Sequence, residues 1–486
     1  MEDLYAATPP LELFRFLLSL CCTRRAKSGA RMKARFIDVK RAFLVTPATE
    51  DVFIELPTED PSEPGKDQVG KLKKSMYGTR SAAKNWQSEI ARVMRLMGYD
   101  RARSTPTLYR KSAHDVTVVV HGDDFWAVGP QEALDTLVKE ISAHWTVETK
   151  ATLGPEEDDD KRVTSLNRII RWTEKGIEIE ADPKHAQLIV AECGMINAKA
   201  VATPGVKDPA ERSGLGQDEE VNGDEKRAYR SVVARANYLA QDRVEIKFAA
   251  KELARTVSAP TRADVQALKR LARYLKGQPR QVTVYEWQGE LAGEMNPKKV
   301  RSLSDSNWAD CRSTRRSTSG GALVHGKHCL TTWSVTQEVI ALSSGEAEYY
   351  ALLRAAKQAL GFKTMAEEMS EIFDVELEVD ASAAKAMAAK EGLGRNKHIE
   401  LKYLWLQEQQ QRKRFQTKKV LGTENGADLL TKHLGVEHMN KLMKELGLEA
   451  REGKAGLKLA EGVARQRLKA LLRHYVLCAA LGMRVE

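Results

Sequence analysis

Two adjacent carboxylates, Asp123 and Asp124, stand between two apolar runs in the segment VVVHGDDFWAVG (118–129). The flanking residues predict the two strands of a hairpin, with both acids at its tip. An Asp–Asp pair in isolation is most often a turn or a solvated patch. Here the apolar flanks would bury the base of the hairpin, and buried carboxylates that repel each other need cations. A third acid, Asp38, closes another apolar strand, so the three acids could hold two Mg²⁺ ions for phosphoryl transfer.

Four further acids border apolar elements in the last third of the chain. Asp305 lies on a predicted strand, Glu348 on a long predicted helix, Asp380 at the end of a later strand, and Asp428 at the start of another helix. Any one of them alone would be interpreted as a helix cap or a surface residue. If the four converge, they could form a second cage for divalent metal ions.

Composition restricts the class of protein that carries these acids. The chain has 486 residues, of which 42% are hydrophobic and 30% charged, so we expect two or three domains with buried cores. The formal charge of +10 favours a nucleic-acid partner over a membrane, although a basic surface that serves only solubility is an equal alternative. The six cysteines form no CxxC pair, which favours a reducing compartment. No signal peptide or membrane span is predicted, so we expect an intracellular location, cytoplasmic or nuclear.

The hydrophobic periodicity predicts the elements that would position the acids. Residues 207–226 are charged and nearly free of apolar side chains, which predicts a linker, and PEEDDDK (155–161) predicts a solvated loop. The other predicted elements are a buried helix over 11–22, a strand starting at 35, a Pro-rich loop over 57–68, a helix over 81–98, helices over 227–276, a strand over 300–308, a hairpin over 320–335, a helix over 341–362 capped by Ser344, and a strand over 375–382.

A group of basic residues precedes and enters the predicted helix over 81–98. Phosphate contact and an ordinary solvated face are equally good interpretations of this group from the residues alone. Trp86, on the same helix, is interpreted as a core residue rather than a platform for base stacking. The candidate nucleic-acid-binding residues here are Lys73, Lys74, Arg80 and Lys84, with Lys71 nearby.

Several motifs resemble, in the same order, those of copia-type LTR retrotransposon reverse transcriptases. They are FIDVKRAFL, VGKLKKSMYG followed by AAKNW, TPTLYRK followed by VVVHGDDF, and YRSVVARANYLA followed by LKRLARYLKG, and they cover about residues 3 to 280. The resemblance implies a palm subdomain in which Asp38, Asp123 and Asp124 bind the catalytic metals. It also implies the addition of deoxynucleotides, from their triphosphates, to a DNA primer on an RNA or DNA template.

Two departures from that family pattern bear on polymerisation. Family members usually carry an aromatic and a small apolar residue before the Asp pair, where this chain has His121 and Gly122. Gly122 should loosen the hairpin tip, because glycine has the most backbone freedom to lose. The fingers segment that normally precedes Asp38 is largely missing. We therefore expect polymerisation to be impaired.

The motifs of the last third resemble the ribonuclease H domain that follows the polymerase in copia-type elements. They cover about 300–435: SDSNWADC, RRSTSGG, LTTWSVTQEVIALSSGEAEYYAL, VDASAA, NKHIELKYLWLQE and GADLLTKHL. By position, the resemblance implies catalytic roles for Asp305, Glu348, Asp380 and Asp428. Glu346 competes with Glu348, but one helical turn holds 3.6 residues, so the two cannot face the same metals. We choose Glu348, because Leu342, Ala351, Leu352 and Ala355 indicate the buried stripe of that helix and the family pattern aligns there.

Three other residues of this region are candidates for roles beside the metals. His398, in NKHIE, matches a histidine-bearing loop of the family, which implies assistance in proton transfer or product release. A local hydrogen bond is an equal alternative for a single histidine. Arg315 and Arg316, next to the first hairpin, are candidates for contacts with the backbone of an RNA–DNA hybrid.

The patterns and the resemblance together predict a multidomain α+β and α/β protein. We expect an RNA-directed DNA polymerase and ribonuclease H fragment with Mg²⁺ or Mn²⁺ as cofactor, in which hydrolysis of the RNA strand of hybrids is retained better than polymerisation. The alternative is an inactive or co-opted protein that binds nucleic acid without catalysis. The predicted domains are a reverse-transcriptase palm (1–206), a linker (207–226), a helical thumb or connection (227–299), a ribonuclease H-like mixed sheet flanked by helices (300–435), and a basic helical tail (436–486).

Overall fold

The computed structural model describes residues 5–56, 69–207, 219–311, 313–394 and 397–451. The predicted Pro-rich loop (57–68), the greater part of the predicted linker (208–218) and the end of the predicted tail (452–486) lie outside the described residues.

Helices and strands alternate along the described chain. The α-helices are α1 (Leu11–Cys21), α2 (Ala42–Val45), α3 (Ala82–Leu96), α4 (Gln131–Ser142), α5 (Pro183–Glu192), α6 (Gly223–Leu239), α7 (Lys247–Ala254), α8 (Arg262–Gly277), α9 (Ser344–Glu368), α10 (Ser382–Ala389), α11 (Trp405–Gln411) and α12 (Val436–Glu445). The strands are β1 (Lys33–Val39), β2 (Phe53–Glu55), β3 (Val69–Lys71), β4 (Asp100–Arg101), β5 (Leu108–Lys111), β6 (Val116–His121), β7 (Asp124–Gly129), β8 (Val147–Leu153), β9 (Arg162–Ser165), β10 (Arg168–Trp172), β11 (Gly176–Ala181), β12 (Arg280–Glu286), β13 (Lys299–Asn307), β14 (Thr318–His325), β15 (His328–Thr336), β16 (Asp374–Val379), β17 (Gln416–Lys419) and β18 (Leu448–Arg451).

The first sheet has six strands in the order β4-β5-β6-β7-β1-β8 and is antiparallel throughout. Both of its faces are covered, which is why its central strands are almost continuously apolar. Val118 and Val120 pack in a cluster with α3 and α4, whereas Val119 packs on the opposite face with α1. The predicted hairpin over 118–129 is confirmed as β6 and β7, and it carries the Asp pair at its turn.

The second sheet has the order β18-β12-β11-β10-β9 and combines segments that are far apart in sequence. Strand β12 lies in the segment assigned to a helical thumb or connection (227–299), beyond the helices predicted over 227–276. Strand β18 belongs to the predicted helical tail, of which only α12 is helical among the described residues. Both short strands gain their hydrogen-bond partners only through tertiary pairing, which periodicity over so few residues does not reveal.

The third sheet is mixed, with the order β15-β14-β13-β16-β17. Strands β13, β14 and β15 form an antiparallel meander, and β16 and β17 continue the sheet in parallel with β13. The long helix α9 packs across β13, β14 and β16. This arrangement confirms the predicted ribonuclease H-like mixed sheet flanked by helices.

Helix α1, predicted to be a buried helix, lies at the junction of the three sheets. Its side chains join one buried cluster with residues of all three sheets and of α9. The single charged residue of its centre, Arg15, is also buried, and its guanidinium pairs with Asp242 at 2.9 Å. No helix in the described ranges combines the length and the apolar character that a bilayer crossing requires.

Four local predictions differ from the structure in detail. Helix α6 begins at Gly223, inside the predicted linker, because the Asn222 side chain caps its first turn. Ser343, rather than Ser344, caps α9. The predicted solvated loop 155–161 contains one structural acid, Asp159, whose carboxylate pairs with buried Lys33 at 2.7 Å. Leu342, assigned to the buried stripe of α9, precedes that helix and is 66% exposed.

Candidate metal centres and nucleic-acid interface

Strands β1 and β7 bring Asp38 and Asp124 together at one end of the first sheet. The two residues are direct antiparallel partners in the register of the pair. The ammonium of Lys150, on β8, lies 2.8 Å from Asp38 Oδ1 and 2.8 Å from Asp124 Oδ1. Burial tends to lower the pKa of Lys150, but hydrogen bonds to the two carboxylates outweigh it and hold the pKa above its ordinary value. The ammonium thus neutralises the two acids that the sheet brings face to face.

Asp123 occupies a different position in the same turn. Its backbone carbonyl accepts a hydrogen bond from the Val39 N–H at 3.0 Å, which ties the turn to the end of β1. The residue is exposed. No cluster of three metal-ligating side chains is found at this turn among the described residues. The structure pairs Asp38 with Asp124 across the two strands and places Asp123 at the exposed turn between β6 and β7.

The hairpin turn is held by two features. Gly122 has a φ of +66°, a conformation that suits the first position of a two-residue hairpin loop and that other residues adopt with strain. The indole N–H of buried Trp86, on α3, donates to the Gly122 carbonyl at 2.8 Å. Trp86 is a core residue, as predicted, and it also fixes the tip that carries the Asp pair. The preceding His121 stacks on Trp126, with ring centroids 6.2 Å apart.

In the third sheet, three acids from three elements converge. Asp305 on β13, Glu348 on α9 and Asp380 just after β16 each offer an oxygen, and these oxygens all lie within 4.8 Å of one another. Within the described residues no other group of three or more acidic, histidine or cysteine side chains meets this spacing. Asp305 is 1% exposed and Glu348 9% exposed, so the carboxylates are largely removed from water.

Burial and mutual repulsion make this acidic centre electrostatically unfavourable. Burial raises the pKa of Glu348 to about 8, and the neighbouring carboxylates of Asp305 and Asp380 add to that shift. Burial likewise raises the pKa of Asp305 to about 7, although Lys432 opposes it, and burial raises the pKa of Asp380. A bound cation would remove the repulsion and lower all three pKa values.

The fourth predicted acid, Asp428, lies beside this cluster in a short 3₁₀ helix (Gly426–Leu430), rather than at the start of an α-helix. It reaches the cluster through Lys432, whose ammonium is 2.8 Å from Asp428 Oδ1 and 3.3 Å from Asp305 Oδ2. The Thr431 hydroxyl donates to the same Asp305 carboxylate. Asp428 therefore contacts the centre through a shared lysine.

Glu346 and Glu348 face different surroundings, as the helical spacing predicts. Glu346 Oε1 accepts from the Tyr350 hydroxyl at 2.6 Å, and Glu346 Oε2 accepts from the Leu342 N–H at 3.0 Å. The predicted site residue His398 has its Nε2 2.9 Å from the same Glu346 oxygen. His398 thus contacts the acid outside the cluster, and its ring remains 43% exposed.

The predicted nucleic-acid-binding residues lie at the surface in two places. Lys73, Lys74 and Arg80 are exposed ahead of α3, and Lys84 is half-buried on α3, where it helps to line an open cleft of about 500 Å³. The Lys74 ammonium donates to the Val45 carbonyl at 3.0 Å, which anchors one of these chains. In the third sheet, exposed Arg315 and Arg316 lie in the connection between β13 and β14.

The acidic centre of the third sheet, formed by Asp305, Glu348 and Asp380, fits a hard divalent cation. All three donors are carboxylates, the ligand type that Mg²⁺ and Mn²⁺ prefer. Ser306 donates its N–H and its hydroxyl to Glu348 Oε1, at 3.1 and 3.0 Å. The other oxygen, Glu348 Oε2, is buried and has no hydrogen-bond partner among the described residues. A buried anionic oxygen without a donor is a strong candidate for a cation ligand.

Sequence reasoning missed the residues that organise the two centres. Lys432 follows Asp428 by four positions, so a charge pair at that spacing was a usable signal. Lys150 gave no such signal, because only the pairing of β1 with β8 brings it to Asp38. The hydrogen bond from Trp86 to Gly122 likewise depends on how α3 packs against the first sheet.

The described chain combines an antiparallel sheet that carries an acidic hairpin with a mixed sheet that carries an acidic cluster. Residues 5–206 match the family described as reverse transcriptase (RNA-dependent DNA polymerase). Over most of its length the chain is similar to retrovirus-related Pol polyproteins of plant copia-type transposons.

Two relatives and one solved structure illustrate the similarity. The chain is 24% identical over 441 residues to the retrovirus-related Pol polyprotein from transposon TNT 1-94 of Nicotiana tabacum, covering 89% of this chain and 32% of that protein. It is 26% identical over 424 residues to the corresponding protein from transposon RE1 of Arabidopsis thaliana, covering 85% and 27%. The foamy viral protease-reverse transcriptase in complex with RNA/DNA hybrid aligns with a TM-score of 0.45 and 11% identity, covering 83% of this chain and 45% of that one. The chain thus spans about a third of the length of these Pol polyproteins.

Proposed function

We propose that this chain hydrolyses the RNA strand of RNA–DNA hybrids at the centre formed by Asp305, Glu348 and Asp380. The observation that carries the proposal is the convergence of three carboxylates from three elements within 4.8 Å, two of them buried and the third half-buried. Such a cluster is costly unless cations bind it, because burial raises the pKa of each acid. The similarity to retrovirus-related Pol polyproteins supports nucleic acid as the polyanion that carries the scissile phosphate.

The residues of the centre have separable roles in this proposal. Asp305, Glu348 and Asp380 would hold Mg²⁺ or Mn²⁺, and Ser306 orients the Glu348 carboxylate through two donated hydrogen bonds. When bound, the metal ions supply activation of water and stabilisation of the departing oxygen. Asp428 adds a fourth negative charge beside Asp305. His398 acts from the rim, where its hydrogen bond to Glu346 holds the loop that carries it.

The RNA–DNA hybrid is the substrate that best matches the charge around this centre. Arg315 and Arg316 project from an exposed connection of the same sheet and would contact phosphates. Discrimination between RNA and DNA would depend on 2′-hydroxyl contacts across a shallow minor groove. Phosphate contacts would make binding weaken steeply with rising salt.

The experiment is cleavage of a labelled RNA strand in a hybrid, with Mg²⁺ and separately with Mn²⁺. We expect the chain to cut the RNA strand and Asp305→Asn to abolish cutting. Glu376→Gln is the matched control, because Glu376 is also a buried acid, lies on β16 and pairs with Lys299 at 3.0 Å outside the cluster. Loss of cleavage in both variants, or no cleavage by the intact chain, would contradict the proposal.

A second candidate, templated DNA synthesis, is favoured by the pairing of Asp38 with Asp124 across β1 and β7. We rank it below hydrolysis, because no cluster of three ligands is found at this pair within the described residues and Lys150 neutralises the two paired acids. Primer extension with deoxynucleotide triphosphates on the same preparation tests it, with Asp124→Asn as the inactive comparison.

Nucleic-acid binding without catalysis is the remaining candidate. Its signature would be salt-sensitive binding of hybrid that persists in Asp305→Asn and in chelator, while neither cleavage nor primer extension is detected. That result would indicate that the functional site is the basic surface of Lys73, Lys74, Arg80 and Lys84 rather than the acidic centres.

A further inference from the structure

Lys432 lies between two acids of the centre proposed for hydrolysis. Its ammonium is 2.8 Å from Asp428 Oδ1 and 3.3 Å from Asp305 Oδ2, so one cation neutralises two carboxylates. Asp305 is the acid that takes part in both groupings, since it also belongs to the cluster with Glu348 and Asp380. Lys432 thus lies between the carboxylates of Asp305 and Asp428.

The exposed fractions of the three side chains show which of them can move. The Lys432 side chain is 40% exposed, whereas those of Asp305 and Asp428 are 2% and 10% exposed. Asp305 is further fixed by the Thr431 hydroxyl. A lysine side chain has a flexible four-carbon stem, so its ammonium can reach water by rotation, at the cost of its ion pairs. Of the three side chains, Lys432 is therefore the one that an arriving cation can displace.

We propose that Lys432 is a tethered counter-ion that competes with divalent metal ions for Asp305 and Asp428. This inference rests on the proposed function, because it concerns the same metal centre. A lysine ammonium is charged at neutral pH, so an arriving cation meets a like charge and must displace it before it can use either carboxylate. The displaced ammonium then loses two ion pairs, which reduces the net free energy of metal binding.

A consequence is that Asp428 becomes available to a metal only after Lys432 has moved. The same step frees Asp305, whereas Glu348 and Asp380 have no ion pair with Lys432 in the described structure and can offer oxygens to a metal before it. Lys432 would thereby neutralise the acids and keep this part of the chain folded at low metal concentration. It would also raise the metal concentration at which the centre is fully occupied.

The test is calorimetric titration of Mn²⁺ into the full chain, counting only the binding that Asp305→Asn abolishes. We expect Lys432→Met to tighten that binding about tenfold, equivalent to about 1.4 kcal/mol. Lys432→Arg keeps the positive charge and should bind no more tightly than the natural chain. Lys419→Met is the matched control, because Lys419 acts on Asp380 only at a distance and should change the affinity less than about twofold.

Thermal unfolding provides a second readout that does not depend on catalysis. Without metal, Lys432→Met should unfold at a lower temperature than the natural chain, since two acids lose their counter-ion. Added Mn²⁺ should raise its midpoint more than it raises that of the natural chain. If Lys432→Met does not fold, Lys432→Gln replaces it in both measurements.

The outcomes separate this inference from the proposed function. Unchanged or weaker Mn²⁺ binding in Lys432→Met, with Asp305-dependent binding intact in the natural chain, overturns the inference and leaves the metal centre standing. Absence of any Asp305-dependent binding in the natural chain and in Lys432→Met overturns the metal centre itself. Equal tightening by Lys419→Met would show a general charge effect and would also overturn the inference.

Discussion

Replacement of Glu348 by glutamine should stabilise the protein while it abolishes hydrolysis. Glu348 is 9% exposed, and one of its oxygens has no hydrogen-bond partner among the described residues. Glutamine has nearly the same shape and can still accept both hydrogen bonds from Ser306. Its amide N–H₂ group would take the place of the unpartnered oxygen and can donate toward Asp305 or Asp380. The substitution replaces a carboxyl that must take up a proton in the folded chain by a neutral group of the same shape, without opening a cavity.

The magnitude follows from the pKa of this carboxyl. Burial, with the charges of Asp305 and Asp380, raises the pKa of Glu348 from 4.5 to about 8. The folded chain therefore holds this proton more tightly than the unfolded chain, and stability is lost as the pH rises from about 4.5 to about 8. Each pH unit in that window costs about 1.4 kcal/mol, so the loss at pH 7 is about 3 kcal/mol. Glu348→Gln should recover up to that amount at pH 7 and less than about 1 kcal/mol at pH 5.

The assay is urea unfolding in chelator at pH 5, 6 and 7, with hydrogen exchange of the α9 amides to assign the transition to this part of the chain. Glu346→Gln is the matched control two residues away, because Glu346 is equally buried but fully hydrogen-bonded. It should destabilise the protein by about 1–2 kcal/mol, since an amide N–H₂ would face the donors that Glu346 now accepts. A gain in Glu348→Gln that does not grow with pH would refute the reasoning.

Three further outcomes are expected away from that cluster. His325 and His328 are buried, and burial lowers their pKa values to about 3 and about 4, so their stabilisation is present above pH 6.5 and lost as the pH falls. Between pH 7 and pH 5, each histidine should lower the free energy of unfolding by about 2 kcal/mol. In His328→Asn the free energy of unfolding, measured with urea, should fall less steeply with pH. Trp86→Phe removes the donor to Gly122 and should lower the free energy of unfolding by about 1 kcal/mol. Relative to the natural chain, hydrogen exchange should accelerate more in the hairpin turn than in β12, and equal acceleration in both would count against this prediction. Lys150→Met should strengthen Asp124-dependent Mn²⁺ binding, and unchanged calorimetric affinity would show that the lysine does not compete there.

The local elements and the identity of the acids could be predicted from the sequence. Two apolar runs on either side of Gly122 and the Asp pair predict the hairpin, because a strand–turn–strand segment requires no distant partner. The helix over 81–98 is similarly local. The helical period shows that Glu346 and Glu348 face different sides, but the choice of Glu348 also needed the family pattern and a predicted buried stripe, of which Leu342 is exposed.

Which acids meet, and what neutralises them, was decided by tertiary structure. Strand β12 and strand β18 were assigned to helical regions, since strands this short are stabilised by their neighbours in the sheet rather than by their own residues. The pairing of Asp38 with Asp124 depends on the register between β1 and β7, which no local pattern determines. Lys150 was missed because an ion pair depends on distance in space, and residue type and spacing determine that distance only within one element. The same reason applies to the pairing of Lys432 with Asp305, whereas its pairing with Asp428, four positions earlier, is local.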